Sequence, residues 1–176
     1  MPQENDKDGY LYDEIVPGTH VTSDFLTEET SNMYDMACPA YREVKNRLSE
    51  MGLKTHRQNL ANYADKGYEI LKLVLPALKD RALAPGSNVN VDETWERFQT
   101  HFGHRKTYMW CLVNRKGSLF FGSVQGALRS AMYNTFIQTC KQVGVSFRQY
   151  FKALLKAVKS GRTDYENLLP MTICLD

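Results

Sequence analysis

One carboxylate in this 176-residue sequence stands where it could hold a metal ion, at the end of a predicted strand. Val89 and Val91 alternate with polar neighbours up to Asp92, and alternating β-branched residues predict a short strand. A second aromatic and β-branched run, residues 107–113, predicts a strand that pairs with it as a hairpin. Because an Asp that leaves a strand is more often a turn or cap residue, Asp92 alone does not define a metal site.

The other potential metal ligands are scattered along the chain. His101 and His104 would share one face of a helix, but Gly103 lies between them and no third ligand is near, so we predict no zinc site. The four cysteines show neither paired metal spacing nor a disulfide framework, which favours a reducing cytoplasm: Cys38, Cys111, Cys140 and Cys174.

Residues 37–84 predict three helices, of which the first two form a helix-turn-helix. Pro39 suits the first turn of a helix, and Gly52 is predicted to end that helix. Thr55 is predicted to cap the second helix by accepting a hydrogen bond from a free backbone N–H. A third helical pattern follows, in which Pro76 predicts a kink or a break. Two short helices joined in this way are common in DNA-binding proteins, and also in proteins that bind nothing.

The predicted second helix separates an apolar stripe from a polar face. Leu60, Tyr63 and Ala64 form the stripe that we expect to be buried. The opposite face carries side chains that can make bidentate contacts with base edges, namely Arg57, Gln58 and Asn62. Lys54, just before this helix, is predicted to add affinity through phosphate contact.

Charge is distributed unevenly, although the formal net charge is only +2. Residues 1–36 hold nine acidic side chains and one basic one, whereas the rest of the chain holds 21 basic and 11 acidic ones. We predict an acidic, loosely ordered arm on a basic body whose partner is a polyanion; the alternative is a solvated surface with a disordered acidic end. Within the arm, Thr27-Glu-Glu-Thr30 could start a short helix that leads into Met33 and Tyr34. No apolar run could span a bilayer and the amino terminus does not resemble a signal peptide, so we expect a cytoplasmic protein without a membrane partner.

Residues 117–176 predict an antiparallel helical hairpin and a tail. The first helix is predicted to end at Gly144 and to bury Leu128, Ala131, Met132, Thr135, Phe136, Thr139, Cys140 and Val143. Ser146 is predicted to cap the second helix, Gly161 to end it, and its stripe to be Phe147, Tyr150, Phe151, Leu154, Leu155 and Val158. Its outer face offers four cations to phosphate groups, or simply to solvent: Arg148, Lys152, Lys156 and Lys159.

These patterns predict an α+β, mainly helical protein with a small β-hairpin between helical segments. The predicted units are the acidic arm (1–36), the helical segment with the helix-turn-helix (37–84), the β-hairpin (85–116) and the carboxy-terminal helical hairpin with its tail (117–176).

Two blocks of the sequence resemble the insertion sequence 66 family of DDE transposases. Thr55-His-Arg-Gln-Asn-Leu-Ala-Asn62 resembles the family's SRQTLANW stretch, and Val91-Asp-Glu-Thr94 matches its DET motif. Tyr108-Met-Trp-Cys-Leu-Val113 is similar to its YLWV strand. Arg115-Lys-Gly-Ser-Leu-Phe-Phe-Gly-Ser123 resembles its RKNWLFAGS stretch, and the helical hairpin resembles its carboxy-terminal domain.

The resemblance implies an RNase H-like catalytic core, in which three carboxylates hold two divalent metals, usually Mg²⁺. The first carboxylate falls on Asp92, while its neighbour Glu93 would point to the opposite face of the strand. The family's second and third carboxylates lie between the two blocks, in Asp-Gly-Tyr and Asn-Asn-x-x-Glu-Arg settings, and this chain has neither motif there. The blocks join at Arg115-Lys116, which suggests an internal deletion that sequencing of neighbouring full-length copies would test.

We therefore predict a protein of insertion-sequence DNA transposition that has lost two of three catalytic acids but still binds DNA at the element's terminal repeats. The alternative is a non-catalytic regulator or dominant-negative partner of an intact transposase, which would lower the transposition of an intact copy. A third hypothesis is that Asp92 works with metal ligands from a partner subunit of a homo-oligomer.

Overall fold

Helices make up most of the described part of the chain, which comprises residues 21–85, 91–100, 103–112 and 124–175 of the computed structural model. The prediction of a mainly helical protein is confirmed. No helix within these ranges is long and apolar enough to cross a membrane. In chain order the elements are α1 (Ser23–Tyr34), α2 (Ala40–Glu43), a π-helical turn (Val44–Leu48), α3 (Arg57–Ala82), β1 (Val91–Thr100), β2 (Gly103–Leu112), α4 (Val124–Gln142), α5 (Phe147–Lys159) and a 3₁₀ turn (Tyr165–Leu168).

The hydrophobic core lies where α3, α4 and α5 meet. The stripe of α5 is confirmed, with Val158 partly buried and the other predicted members fully buried. Gly144 and Gly161 follow α4 and α5 with φ values of +73° and +83°, so they end these helices as predicted, in a conformation that glycine adopts at little cost. The part of the core that α3 supplies is Leu60, Ala64, Leu71, Val74 and Leu78.

α4 buries a different stripe from the predicted one. Tyr133 and Ile137 are buried in the core, whereas Leu128 and Val143 are 49% and 40% exposed. The predicted residues that do remain buried are Met132, Phe136 and Cys140. Since apolar residues lie on more than one side of α4, their spacing alone could not select the buried side, and the packing of the Tyr133 ring decides it. Burial also raises the pKa of the Cys140 thiol to about 12.

α3 and α4 approach each other closely at Gly67. A Cβ atom at this position would collide with Oη of Tyr133 and lie 3.0 Å from Cζ of Phe151. The Tyr133 hydroxyl donates a hydrogen bond of 2.9 Å to the backbone carbonyl of Ala64, one turn earlier on α3. Burial raises the pKa of Tyr133 well above its ordinary value, so the hydroxyl keeps the proton that it donates. The glycine therefore makes room for a buried hydrogen bond between the two helices.

The prediction of a loosely ordered arm is wrong for the segment that forms α1. Thr22 caps this helix by accepting a hydrogen bond of 3.2 Å from the backbone N–H of Phe25. Leu26 and Thr30 are fully buried, and Tyr34 stacks on Tyr133 with ring centroids 4.2 Å apart. The buried side of α1 includes threonine, serine and glutamate side chains, so it did not stand out as an apolar stripe. Residues 1–20 of the predicted arm lie outside the described residues.

Of the kink or break that was predicted at Pro76, the break is wrong, because α3 continues through Pro76 to Ala82. The second and third predicted helices are also joined in this one 26-residue helix. A proline within a helix removes one backbone hydrogen bond and costs about 3 kcal/mol. Pro76 lies on the exposed side of α3, near Leu73, which is 43% exposed, so water can satisfy the carbonyl group that loses its partner. The opposite side of the same turns buries Val74 and Leu78, and this burial favours the continuous helix.

The turn before α3 confirms the prediction for Gly52 and contradicts the prediction for Thr55. Gly52 has a φ of +78° and follows the predicted first helix, which is built from α2 and the π-helical turn. Thr55 does not cap α3, because the cap position belongs to His56, which makes no capping hydrogen bond with its side chain. The Thr55 hydroxyl instead accepts a hydrogen bond of 3.2 Å from the side-chain amide of Asn59. The helix-turn-helix itself stays a prediction.

β1 and β2 pair in antiparallel fashion as a two-stranded sheet. Asp92 lies opposite Cys111 in the register, and Thr100 lies opposite Gly103. Both strands are longer than the predicted ones. His104 belongs to β2, so it lies on a strand rather than on the helix that a His101–His104 chelate would need, and His101 is outside the described residues. The predicted glycine-flanked run at 117–123 also lies outside them.

We expect Gly67→Ala to lower the free energy of unfolding by about 2 kcal/mol, because overpacking against Tyr133 outweighs the gain of about 1 kcal/mol that alanine normally has over glycine in a helix. Urea denaturation would measure the change. The double variant Gly67→Ala/Tyr133→Phe should regain at least half of the loss, since phenylalanine lacks the colliding oxygen, with Tyr133→Phe alone as its reference. A Gly67→Ala protein as stable as the original would contradict this account of the contact.

Candidate nucleic-acid interface

The first turns of α3 present the polar residues that the sequence singled out. Arg57, Gln58 and Asn62 are exposed, while Leu60 and Ala64 on the other side of the helix are fully buried. Gln58 and Asn62 are one turn apart, and the amide Nε2 of Gln58 donates a hydrogen bond of 3.1 Å to Oδ1 of Asn62. The structure therefore brings these three side chains together on one accessible helix face.

An open groove of about 430 Å³ lies beside the beginning of α3. Basic side chains line it on two sides: Lys45 from the π-helical turn, and Lys54 and His56 from the segment that leads into α3. The amino-terminal end of a helix carries a partial positive charge, and no side chain caps this one. The groove and the exposed face of α3 together form the candidate interface, an environment that favours an anion.

The charges of the candidate interface are available for a partner. Neither Lys54 nor Arg57 makes an ion pair or side-chain hydrogen bond with another residue in the described part of the chain. Lys45 lies over the ring of Tyr41, with its Nζ atom 5.9 Å from the ring centroid, and this contact leaves its charge uncompensated. A phosphate group could approach these cations without displacing a carboxylate.

Contacts from α4 hold the other side of these same turns. Nη1 of Arg129 donates to the backbone carbonyl of Ala61 at 2.9 Å and to Oδ1 of Asp65 at 2.8 Å. The Tyr133 hydroxyl bonds to Ala64 between them. The turns that expose Arg57 and its neighbours are therefore fixed in orientation by the core helix behind them.

A buried ion cluster holds the π-helical turn, and with it Lys45, against α1. The guanidinium of Arg47 donates to Glu29 and to Glu43, both of which are almost completely buried. Asn32 of α1 donates a further hydrogen bond of 3.0 Å to the Glu43 carboxylate. Burial lowers the pKa of Arg47 from its ordinary value, but a guanidinium still remains charged. Sequence reasoning missed this cluster, although Glu43 and Arg47 have the i, i+4 spacing of a helical ion pair. Glu29 and Asn32 are separated from them in the chain, and no spacing rule links them.

Unlike the cations at the start of α3, cations on the basic face of α5 form ion pairs with carboxylates. Arg148 pairs with Glu28, and Nζ of Lys152 lies 2.6 Å from Oδ1 of Asp24. Two of the four cations that were predicted to contact phosphate are therefore paired with acids of α1. At the end of α4, Nζ of Lys141 lies 2.8 Å from Oδ1 of Asp35. The remaining predicted residues, Lys156 and Lys159, are exposed on the same helix, and each makes an interaction of its own. The acidic bias of residues 1–36 was the signal that could have indicated this arrangement.

Within the paired strands, the spacing of the acids along the chain does not provide the three clustered carboxylates that the family resemblance implies. The acids of β1 are Asp92, Glu93 and Glu96, and β2 contains no Asp or Glu. Residues four apart on a strand are separated by about 13 Å, whereas paired catalytic metals lie about 3.5–4 Å apart. Among the residues whose side chains the structure describes, which do not include those of β1 and β2, no group of three histidine, cysteine, aspartate or glutamate residues could hold a metal ion.

An Asp-Gly-Tyr sequence does occur elsewhere in the chain, at Asp8-Gly-Tyr10. It precedes Asp92, whereas the corresponding motif of the family follows the first carboxylate. These residues lie outside the described part of the chain. Asp8 is therefore the one acid in such a setting that an activity test must include.

Comparison with sequence models of known families identifies the class of protein, because residues 18–136 match a transposase family. The chain belongs to the Transposase IS66 family. The matched range begins just before α1, includes both strands of the hairpin and Asp92, and ends within α4. The predicted family is thus confirmed, and the match extends further toward the amino terminus than the first resembling stretch, which begins at Thr55. No curated protein and no solved structure matches the chain.

We expect Arg47→Met to lower the free energy of unfolding by about 3 kcal/mol, because it leaves two buried carboxylates without their cation. The matched control is Arg42→Met, which removes the same charge from an exposed position one turn away and should change stability by less than about 0.5 kcal/mol. Chemical denaturation of both variants would measure the difference. Equal losses in the two variants would show that the cluster does not hold this region together.

Proposed function

We propose that this member of the transposase family binds DNA through the candidate interface at the start of α3 and does not cut DNA by itself. The observation that carries the proposal is the unpaired charge of Lys54 and Arg57 on the same exposed surface as Gln58 and Asn62. Family membership makes DNA the expected polyanion. The natural target would be the terminal repeats of the insertion sequence.

The side chains of the candidate interface divide into two roles. Lys45 and Lys54 flank the groove, where their charge and the end of the helix would contact phosphate groups and fix the position of the protein on the duplex. Arg57, Gln58 and Asn62 have the geometry for base edges, since an arginine can bind guanine and a side-chain amide can bind adenine in bidentate fashion. The hydrogen bond between Gln58 and Asn62 restrains both amides before DNA arrives.

We expect the double variant Lys54→Ala/Arg57→Ala to weaken binding to all duplexes and to reduce the slope of log affinity against log salt by about 1, because the phosphate contact of Lys54 is lost. The loss of Arg57 should also lower the preference for terminal-repeat sequence. Gln58→Ala and Asn62→Ala should instead reduce the preference for terminal-repeat sequence, by about 1–3 kcal/mol for each bidentate contact that is lost. Fluorescence anisotropy with terminal-repeat and scrambled duplexes at several salt concentrations would measure both effects.

The matched control is Lys79→Ala/Arg81→Ala. It removes two charges from exposed positions at the other end of the same helix, so it should leave the affinity nearly unchanged. If the two double variants lose affinity equally, the binding depends on net charge and the candidate interface has no special part in it. Absence of binding at low salt would refute the proposed function.

The proposed inability to cut DNA follows from the number of catalytic carboxylates that the sequence supplies. Mg²⁺ needs a nearly octahedral set of oxygen ligands, and a two-metal site of this family takes them from three acids that are close in space. Asp92 matches the first acid, whereas the segment that would carry the other two between the blocks is absent from this sequence. The paired strands β1 and β2 are, in this proposal, what remains of an RNase H-like core after an internal deletion joined the blocks at Arg115-Lys116.

We expect no nicking of supercoiled plasmid when the purified protein is incubated with Mg²⁺ or Mn²⁺, because one carboxylate cannot position two ions. Agarose gels of the plasmid over time would measure this, with Asp92→Ala and Asp8→Ala variants prepared in parallel. Metal-dependent nicking that either variant abolishes would show that the chain assembles a working site after all. Nicking that persists in both variants would indicate a contaminating nuclease.

A further inference from the structure

Acidic residues of α1 and of its C-cap position, Asp35, lie opposite basic residues of the carboxy-terminal helices. Asp24, Glu28 and Asp35 pair with Lys152, Arg148 and Lys141, respectively. Positions 24, 28 and 35 recur at helical spacing, so the three carboxylates share one side of α1. Arg148 and Lys152 are likewise one turn apart on α5. Two complementary rows of charge therefore face each other along the length of the contact.

These ion pairs are not what holds α1 in place. The helix is fixed from its other side, where Leu26 is fully buried and Tyr34 stacks on Tyr133. The Asp24–Lys152 pair is well exposed to solvent, because the two side chains are 69% and 60% exposed, respectively. Exposed pairs of this kind contribute little to stability. Stability therefore does not explain why Asp24 lies opposite Lys152.

We infer that the row Lys141, Arg148 and Lys152 is a second contact surface for the phosphate backbone of DNA, and that the carboxylates of α1 compete with phosphate for it. The identity of the polyanion rests on the proposed function, whereas the competition rests on the ion pairs alone. A carboxylate beside a lysine or arginine occupies the position that a phosphate oxygen would take. DNA must displace each carboxylate before it gains the corresponding contact, so α1 lowers the affinity of this surface.

The competition has a measurable signature in salt dependence. A cation that contacts phosphate adds about 0.9 to the slope of log affinity against log salt, whereas a cation already neutralised by a carboxylate adds less. Freeing three cations should increase the slope by up to about 2.7. Between 50 and 200 mM salt, this increase corresponds to an additional loss of affinity of up to about 40-fold.

The test compares two triple variants of the full chain that carry the same change in net charge. Asp24→Asn/Glu28→Gln/Asp35→Asn removes the competing carboxylates. Its control neutralises three exposed acids that form no ion pair with a described residue: Glu50→Gln/Asp80→Asn/Glu166→Gln. We expect only the first variant to bind a random-sequence duplex with the steeper salt dependence. Equal behaviour of the two variants would overturn the inference.

A second set of substitutions locates the gained contacts. Adding Lys141→Ala/Arg148→Ala/Lys152→Ala to the first triple variant should abolish the gain, and a gain that persists would overturn the inference. If the first triple variant does not fold, as judged by circular dichroism, Asp24→Asn alone tests the most exposed pair and should still steepen the salt dependence by up to about 0.9.

Adding Lys54→Ala/Arg57→Ala instead separates this inference from the proposed function. If binding at the start of α3 fails but the gain still depends on the row Lys141, Arg148 and Lys152, the competition stands and the proposed function does not. If these α3 substitutions remove the gain and those in the row do not, the competition is refuted and the proposed function stands.

Discussion

The fixed position of α3 against α4 is the constraint on which both the core and the candidate interface depend. Gly67 admits the Tyr133 hydroxyl to the backbone of α3, and Arg129 binds the same helix through Ala61 and Asp65. The Tyr133 contact satisfies a buried hydroxyl group, and leaving such a group unpaired would cost about 1–3 kcal/mol. The Arg129 contacts are only partly buried. The contacts of Arg129 and Tyr133 fix the rotation of α3 about its axis. This rotation buries one side of α3 in the core, and it therefore also determines that Arg57 and Gln58 are exposed on the other side.

Electrostatics divides the basic surface into two parts with different partners. The candidate interface at the start of α3 keeps uncompensated cations, while the row on α4 and α5 meets carboxylates of α1. The same helix supplies Glu29 to the buried cluster around Arg47. α1 therefore contributes acids to two tasks, one that holds the π-helical turn and one that reduces positive charge on the carboxy-terminal helices. A formal net charge of +2 conceals this division.

The sequence predicted features that depend on one helix at a time. The stripe of α5 has a single apolar side, so periodicity was enough, and Arg57, Gln58 and Asn62 follow from the burial of Leu60 and Ala64 on the same helix. Periodicity failed where the outcome depends on a second element. α1 buries polar side chains, among them Glu29, whose partner Arg47 lies on the π-helical turn. Pro76 is tolerated because it faces solvent, and α4 is oriented by the fit of Tyr133 against Gly67. The ion pairs of Asp24, Glu28 and Asp35 join residues more than 100 positions apart, which no local pattern can reveal.

The origin of the core bears on how a shortened transposase can fold. Among the residues whose burial the structure describes, which exclude those of β1 and β2, the buried apolar residues come from the helices, the 3₁₀ turn and their flanking residues. Val21 and Leu26, and Leu168 and Leu169, join those of α3, α4 and α5. A two-stranded hairpin is marginal by itself, so it would be a poor foundation for a fold. A core built from helices that flank the hairpin in sequence does not need a complete central sheet. In the proposed internal deletion, loss of the middle of the catalytic domain would therefore remove the carboxylates that cut DNA, while the helices proposed to bind DNA keep their packing.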